Sequence, residues 1–156
     1  MSSISRQLAE FAVRLKYRDL PDQVIHEVKR FLIDSIGCAF GGYRSKDPQI
    51  VHQVVERLGG ARDCTVIGSG LKTNMVQSAL LNALMIRALD YNDIYWKADP
   101  SHPSDIIPAA LSPAEKLGKS GKDLIVAIVI AYDLEMRLCE IGKPGVREKG
   151  WHHATL

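Results

Sequence analysis

The sequence predicts a mainly α-helical, multi-helix domain, and three observations carry that prediction. Apolar residues recur at three- and four-residue spacings through most of the 156 residues, glycine and proline punctuate the intervals, and at most one short β segment, near residues 63–67, stands out. With 46% hydrophobic residues the chain can fill one ordinary core. One compact domain is the expectation.

In order, residues 3–16 place Ile4, Leu8, Phe11, Ala12 and Leu15 on one stripe behind Ser2 or Ser3 as N-cap, an amphipathic helix. Pro21 suits a first helical turn, and Val24, Val28, Phe31, Leu32 and Ile36 continue a second helix that runs out at Gly37 or at Gly41-Gly42. The small residues there allow close helix approach or a turn. Asp47-Pro48 opens a third helix through Ile50, Val51, Val54, Val55 and Leu58, stopped by Gly59-Gly60. Residues 63–67 read as a hairpin arm or an extended connector, since one short strand makes no sheet by itself. Thr73 or Asn74 then caps a long helix to about Leu89, apolar on most sides and therefore expected to be buried. Pro108 and Pro113 flank an Ala-rich helix to Leu117. The last helix runs from Lys122 to about Ile141, a broad apolar face interrupted by acids, with Gly142, Pro144 and Gly145 to end it.

Composition removes several classes of function. The 20 basic and 18 acidic residues are interspersed and leave a formal charge of +2, so neither a basic face for nucleic acid nor an acidic tail is present. Cys38, Cys64 and Cys139 are odd in number, far apart and never in a C-x-x-C pair, which argues against a disulfide framework and a zinc ribbon and fits a reducing, cytoplasmic setting. The most apolar run, residues 124–134, is too short to span a bilayer and carries Asp133. No membrane association is expected.

The stretch that carries chemistry is residues 89–105. It holds four carboxylates (Asp90, Asp93, Asp99 and Asp105), His102, Lys97 and the rings of Tyr91, Tyr95 and Trp96, between two largely apolar segments. A solvated loop rarely needs these aromatics, and a core helix rarely needs these acids, so the stretch reads as one wall of an active site. Asp90 and Asp93 share a face if the preceding helix continues, and one could then hold the other's proton; the plainer alternative makes Asp93 the N-cap of a following helix. Acids at a helix C-terminus oppose the dipole, so something else must want charge there. Pro100 and Pro103 fix the backbone around His102, which places an imidazole suited to proton transfer, or a structural histidine in a turn. Ser104 or Asp105 can cap the helix beginning near Ile106. His152 and His153 would point about 100° apart on a helix, so they do not easily serve one metal. A divalent-metal site from Asp90, Asp93, His102 and a tail histidine lacks any supporting ligand spacing, and no metal is expected. The run from Gly68 to Thr73 lacks phosphate-loop spacing and reads as a turn plus helix cap. Ser69 and the cysteines have no visible base partner, which leaves nucleophilic catalysis without support.

Taken together, Thr65-Val66-Ile67-Gly68, then Leu89-Asp90-Tyr91-Asn92-Asp93, then His102-Pro103-Ser104-Asp105, then Ala131-Tyr132-Asp133-Leu134-Glu135, then Gly150-Trp151-His152-His153 resemble the N-terminal part of the MmgE/PrpD family. The resemblance spans essentially the whole chain. It implies that residues 1–156 are the N-terminal part of a large helical domain, that an α/β domain lies outside this chain, and that the protein forms homodimers and needs no cofactor. It also implies 2-methylcitrate-dehydratase-like lyase chemistry on small di- or tricarboxylates, with decarboxylation or epimerisation as the family's other reactions. Asp90 and His102 become expected active-site residues with Asp93 beside them, and His152 the counterpart of a second active-site histidine. Lys97 and Ser104 are the candidate substrate-binding residues. A polycarboxylate needs cations, and here only Lys97 and Arg87 lie near the acids. The isolated chain is therefore expected to be inactive without a basic wall opposite, and the alternative reading is a non-catalytic helical module or partner subunit.

Overall fold

A computed structural model of the chain describes residues 3–97, 100–141, 145 and 147–151. It is mainly helical, with α1 (Ile4–Arg14), α2 (Asp22–Gly42), α3 (Lys46–Leu58), α4 (Met75–Arg87), α5 (Ile107–Lys116) and α6 (Gly121–Ile141). Ser3 caps α1 by accepting from the Arg6 amide, and Asn74 caps α4 by accepting from the Gln77 amide at 3.0 Å. The β segment is one arm of a minimal hairpin, β1 (Cys64–Thr65) antiparallel to β2 (Lys72–Thr73). A second pair, β3 (Tyr95–Trp96) with β4 (Pro100–Ser101), goes beyond the single segment expected; it folds the aromatic stretch back on itself so that His102 follows directly from β4.

α2 is long enough to serve two cores. Its C-terminal half contributes Cys38 and Ala39 to a cluster with Val55 of α3, Val66, and Leu81, Met85 and Ile86 of α4. Its N-terminal half contributes Val28 to a cluster with Ile107 of α5 and Ile125 and Ile128 of α6. The glycines at the end of α2 serve close approach: a Cβ added at Gly42 would lie 2.1 Å from the Met85 carbonyl oxygen of α4. Only a residue without a side chain lets the two backbones meet there.

α4 corrects one expectation. Leu81, Asn82, Met85 and Ile86 are buried, but Val76 is 70% and Leu80 60% exposed, because no described element covers that face. Its buried polar side chains stitch the hairpin to the helix: Asn82 Nδ2 donates to the Thr65 carbonyl at 3.0 Å, and its Oδ1 accepts from the Ile67 amide at 2.9 Å. α4 and α2 together form the platform from which the chain leaves at Arg87. Among the described residues no helix is long and apolar enough to cross a membrane.

Candidate functional site

α4 ends at Arg87, and Asp90 takes φ +50°, a left-handed conformation that aspartate tolerates better than most residues. The helix therefore does not carry on through Asp93, and the shared helical face expected for Asp90 and Asp93 is not formed. Arg87 supplies what the acid at the helix end required, pairing with Asp90 and lying 3.7 Å, Nε to Oδ2, from Asp105. Asp93 then lands beneath the histidine.

Three contacts fix Asp93. Its Oδ1 accepts from the Ser104 amide at 2.9 Å, its Oδ2 accepts from the Tyr132 hydroxyl of α6 at 3.0 Å, and its backbone carbonyl lies 2.7 Å from His102 Nδ1. It caps no helix directly after it. A carbonyl only accepts, so His102 Nδ1 carries a proton and the lone pair of the neutral ring sits on Nε2. That nitrogen lies 3.9 Å from Asp90 Oδ1, and the ring is only 9% exposed. The histidine is held in one tautomer with a carboxylate beside its basic nitrogen.

Ser104 and Asp105 cap nothing by their side chains either. A 3-10 turn, Pro103–Ile106, precedes α5, whose N-cap Ile106 offers no side-chain acceptor. Instead Asn92 Nδ2 donates to Ser104 Oγ at 2.8 Å and to Asp105 Oδ1 at 2.9 Å, tying the two ends of the loop together. The neighbourhood of Asp105 raises its carboxyl from the ordinary 3.8 to about 6; burial outweighs the nearby Arg87, His102 and the Asn92 hydrogen bond, which all favour the anion. The Tyr132 hydroxyl is also pushed up, first by burial and then by the Asp93 carboxylate it meets.

His102 and Asp105 line a cleft of about 390 Å³ with Ser101 and, from α6, Glu135; Ile106, Ala109, Ala131, Leu134 and Leu138 provide apolar walls. Ser101 Oγ donates to Glu135 Oε1 at 2.5 Å. Burial raises the Glu135 carboxyl, with Ser101 and His102 acting in the other direction. The cleft thus combines an imidazole, two carboxyls with raised proton affinity and an apolar lining, which is a setting for proton transfer to or from a small molecule.

The structure brings together Asp90, Asp93, His102 and Ser104. It does not bring Lys97 to them: Lys97 Nζ pairs with Glu140 Oε2 at 2.8 Å, beside the Tyr95 hydroxyl that donates to the same carboxylate, in a separate cleft between α1 and α6. His152 and His153 lie outside the described residues. The sequence reading missed Asn92, Ser101, Tyr132 and Glu135 as site residues. A usable signal was present in α6, where Tyr132 and Glu135 sit three apart, and so on one face, in a helix rich in apolar residues. Among the described residues no three His, Cys, Asp or Glu side chains converge as a metal-ligand set.

Comparison with known proteins finds relatives over most of this chain's length. The chain is 27% identical over 157 residues to a cis-aconitate decarboxylase of Aspergillus terreus, covering 97% of this chain and 32% of that protein. It is 28% identical over 149 residues to human cis-aconitate decarboxylase, covering 92% and 31%. With a Saccharomyces cerevisiae protein named "probable 2-methylcitrate dehydratase" it shares 24% identity over 160 residues, covering 82% and 31%. The chain spans about a third of the length of these curated relatives. A family description, the MmgE/PrpD N-terminal domain, matches residues 6–156, and the chain that builds this histidine-carboxylate cleft on a helical frame belongs to that family.

Proposed function

We propose that this domain supplies the acid/base wall of a lyase acting on small di- or tricarboxylates, with 2-methylcitrate-like dehydration as the reaction. One observation carries the reading: His102 is locked by the Asp93 carbonyl into the tautomer whose Nε2 is basic, next to Asp90, in the wall of an open cleft. A base so placed removes a proton from a carbon next to a carboxylate, and Asp90 stabilises the imidazolium that results. Asp93 acts through His102 and is a positioning residue. Ser104 shares its role, since its amide anchors Asp93. The names of the relatives, decarboxylases and a dehydratase, support lyase chemistry.

The test is His102→Gln in the protein as its host makes it, assayed for water loss from 2-methylcitrate and CO2 release from cis-aconitate. The expected result is a fall in kcat of roughly 10²–10⁴-fold for dehydration, the usual contribution of a positioned acid/base group. Unchanged turnover rejects the assignment. A second reading, a module without turnover of its own, is favoured by the cations: Lys97 is paired with Glu140, and Arg87 with Asp90 and Asp105. Turnover by the purified 156-residue chain alone would remove it.

A further inference from the structure

Elimination needs two groups, a base for the proton and an acid for the departing oxygen, and the cleft contains two carboxyls besides His102. They are not equivalent. Asp105 has both oxygens engaged by groups that favour its anion: Oδ1 accepts from Asn92 at 2.9 Å, and Oδ2 faces the Arg87 guanidinium at 3.7 Å. Glu135 forms no ion pair with a lysine or arginine among the described residues, and the basic group that acts on it is His102. Its Oε1 accepts from the neutral Ser101 hydroxyl at 2.5 Å, and the residue lines the cleft beside His102. Its position is fixed from two directions. Ser101 adjoins His102 in the chain, and Tyr132, one turn earlier on α6, holds the Asp93 that holds His102.

We propose that Glu135 is the catalytic proton donor of this cleft, opposite His102 as base, a role that rests on the lyase reading above. His102 Nε2 takes the proton from the carbon next to a carboxylate, and the C–H electron pair is held as a carboxylate-stabilised carbanion that either regains a proton as substrate or becomes the new C=C bond. The C–O bond to the neighbouring hydroxyl breaks, and the Glu135 proton goes to that oxygen, which leaves as water. Glu135 ends as a carboxylate and His102 as an imidazolium; the imidazolium loses its proton to solvent, and Glu135 regains one. The groups facing Glu135 are Ser101 and His102 from the loop, with the Asp93 carboxylate behind them and Asp105 across the cleft. Burial and the nearby Asp93 both favour the protonated carboxyl that the step requires.

The test uses 2-methylcitrate in D2O with the host-made protein and its Glu135→Gln variant, measuring dehydration and deuterium uptake at the α-carbon of recovered substrate. The expected result is dehydration lowered by roughly 10²–10⁴-fold while uptake stays within about five-fold of wild type, because the base is untouched. Dehydration within about five-fold of wild type overturns the proposal, as does loss of uptake together with dehydration. Should Glu135→Gln not fold, Ser101→Ala keeps the carboxyl and removes a hydrogen bond that favours its anion, so the alkaline limb of kcat must move to higher pH; an unmoved limb overturns the proposal. Wild-type protein with neither dehydration nor uptake sinks the lyase reading itself, whereas wild-type turnover that Glu135→Gln leaves intact sinks this assignment alone.

Discussion

The Tyr132 hydroxyl donates to Asp93 Oδ2 at 3.0 Å, so helix α6 is tied to the one loop residue whose other carboxylate oxygen holds Ser104 and whose carbonyl holds His102. The bond links residues 39 positions apart. It makes the orientation of the imidazole depend on the seating of α6.

Tyr132→Phe therefore separates orientation from packing. The ring keeps its contact with Phe31, whose centroid lies 5.6 Å away, and only the hydroxyl is lost. Stability should fall by about 1 kcal/mol, the usual net worth of such a hydrogen bond. Turnover should drop several-fold with KM little changed, because the histidine it orients acts on the bound substrate. Urea unfolding midpoints and steady-state kinetics check both.

Asp105 sets a pH dependence of stability. Its folded carboxyl, at about 6, lies above its ordinary 3.8, so the folded state binds the proton more tightly than the unfolded chain does. The stability this gives is fully present below pH about 4 and is lost as pH rises through about 6. Asp105→Asn should remove that slope, seen as denaturant midpoints that no longer fall between pH 4.5 and 7. Arg87→Gln should move the slope to higher pH, since Arg87 favours the anion.

Gly37 and Gly42, two of the three glycines of α2, should respond in opposite directions to alanine. At Gly42 the added Cβ meets the Met85 carbonyl at 2.1 Å, and the α2–α4 interface must separate, which should destabilise the protein by about 1–3 kcal/mol. At Gly37 nothing lies within 4 Å, so alanine should stabilise the helix by about 0.5–1 kcal/mol. Thermal midpoints of the two variants measured side by side decide the point.

The helices were legible in the sequence because their signals are local. Ser3 and Asn74 sit where an N-cap is needed, Gly59 stops α3, and apolar periodicity runs through α2 and α6. The loop was legible as a place and not as a geometry. Its acids bond across 11 to 39 residues, Asp93 to Ser104 and Tyr132, and Asn92 to Asp105, and local spacing does not encode such partners. The same limit made Ser104 and Asp105 look like helix caps and let Asp90 and Asp93 look like helical neighbours. A left-handed Asp90 breaks the helix between them, and aspartate gives less warning of that than glycine does. Glu135 was visible as an acid interrupting an apolar face, but its meaning depended on Ser101 arriving opposite it.

Ala109 and Ala131 have a consequence for selectivity. They line the cleft from α5 and α6, and each stops one carbon beyond the backbone, so the room for a ligand is created by side chains that are short where they could be long. The size of molecule admitted is thus adjustable at two positions that carry no charge and move no proton. Lengthening either side chain would narrow the choice of ligands, whereas the acid/base groups beside them would still be the same.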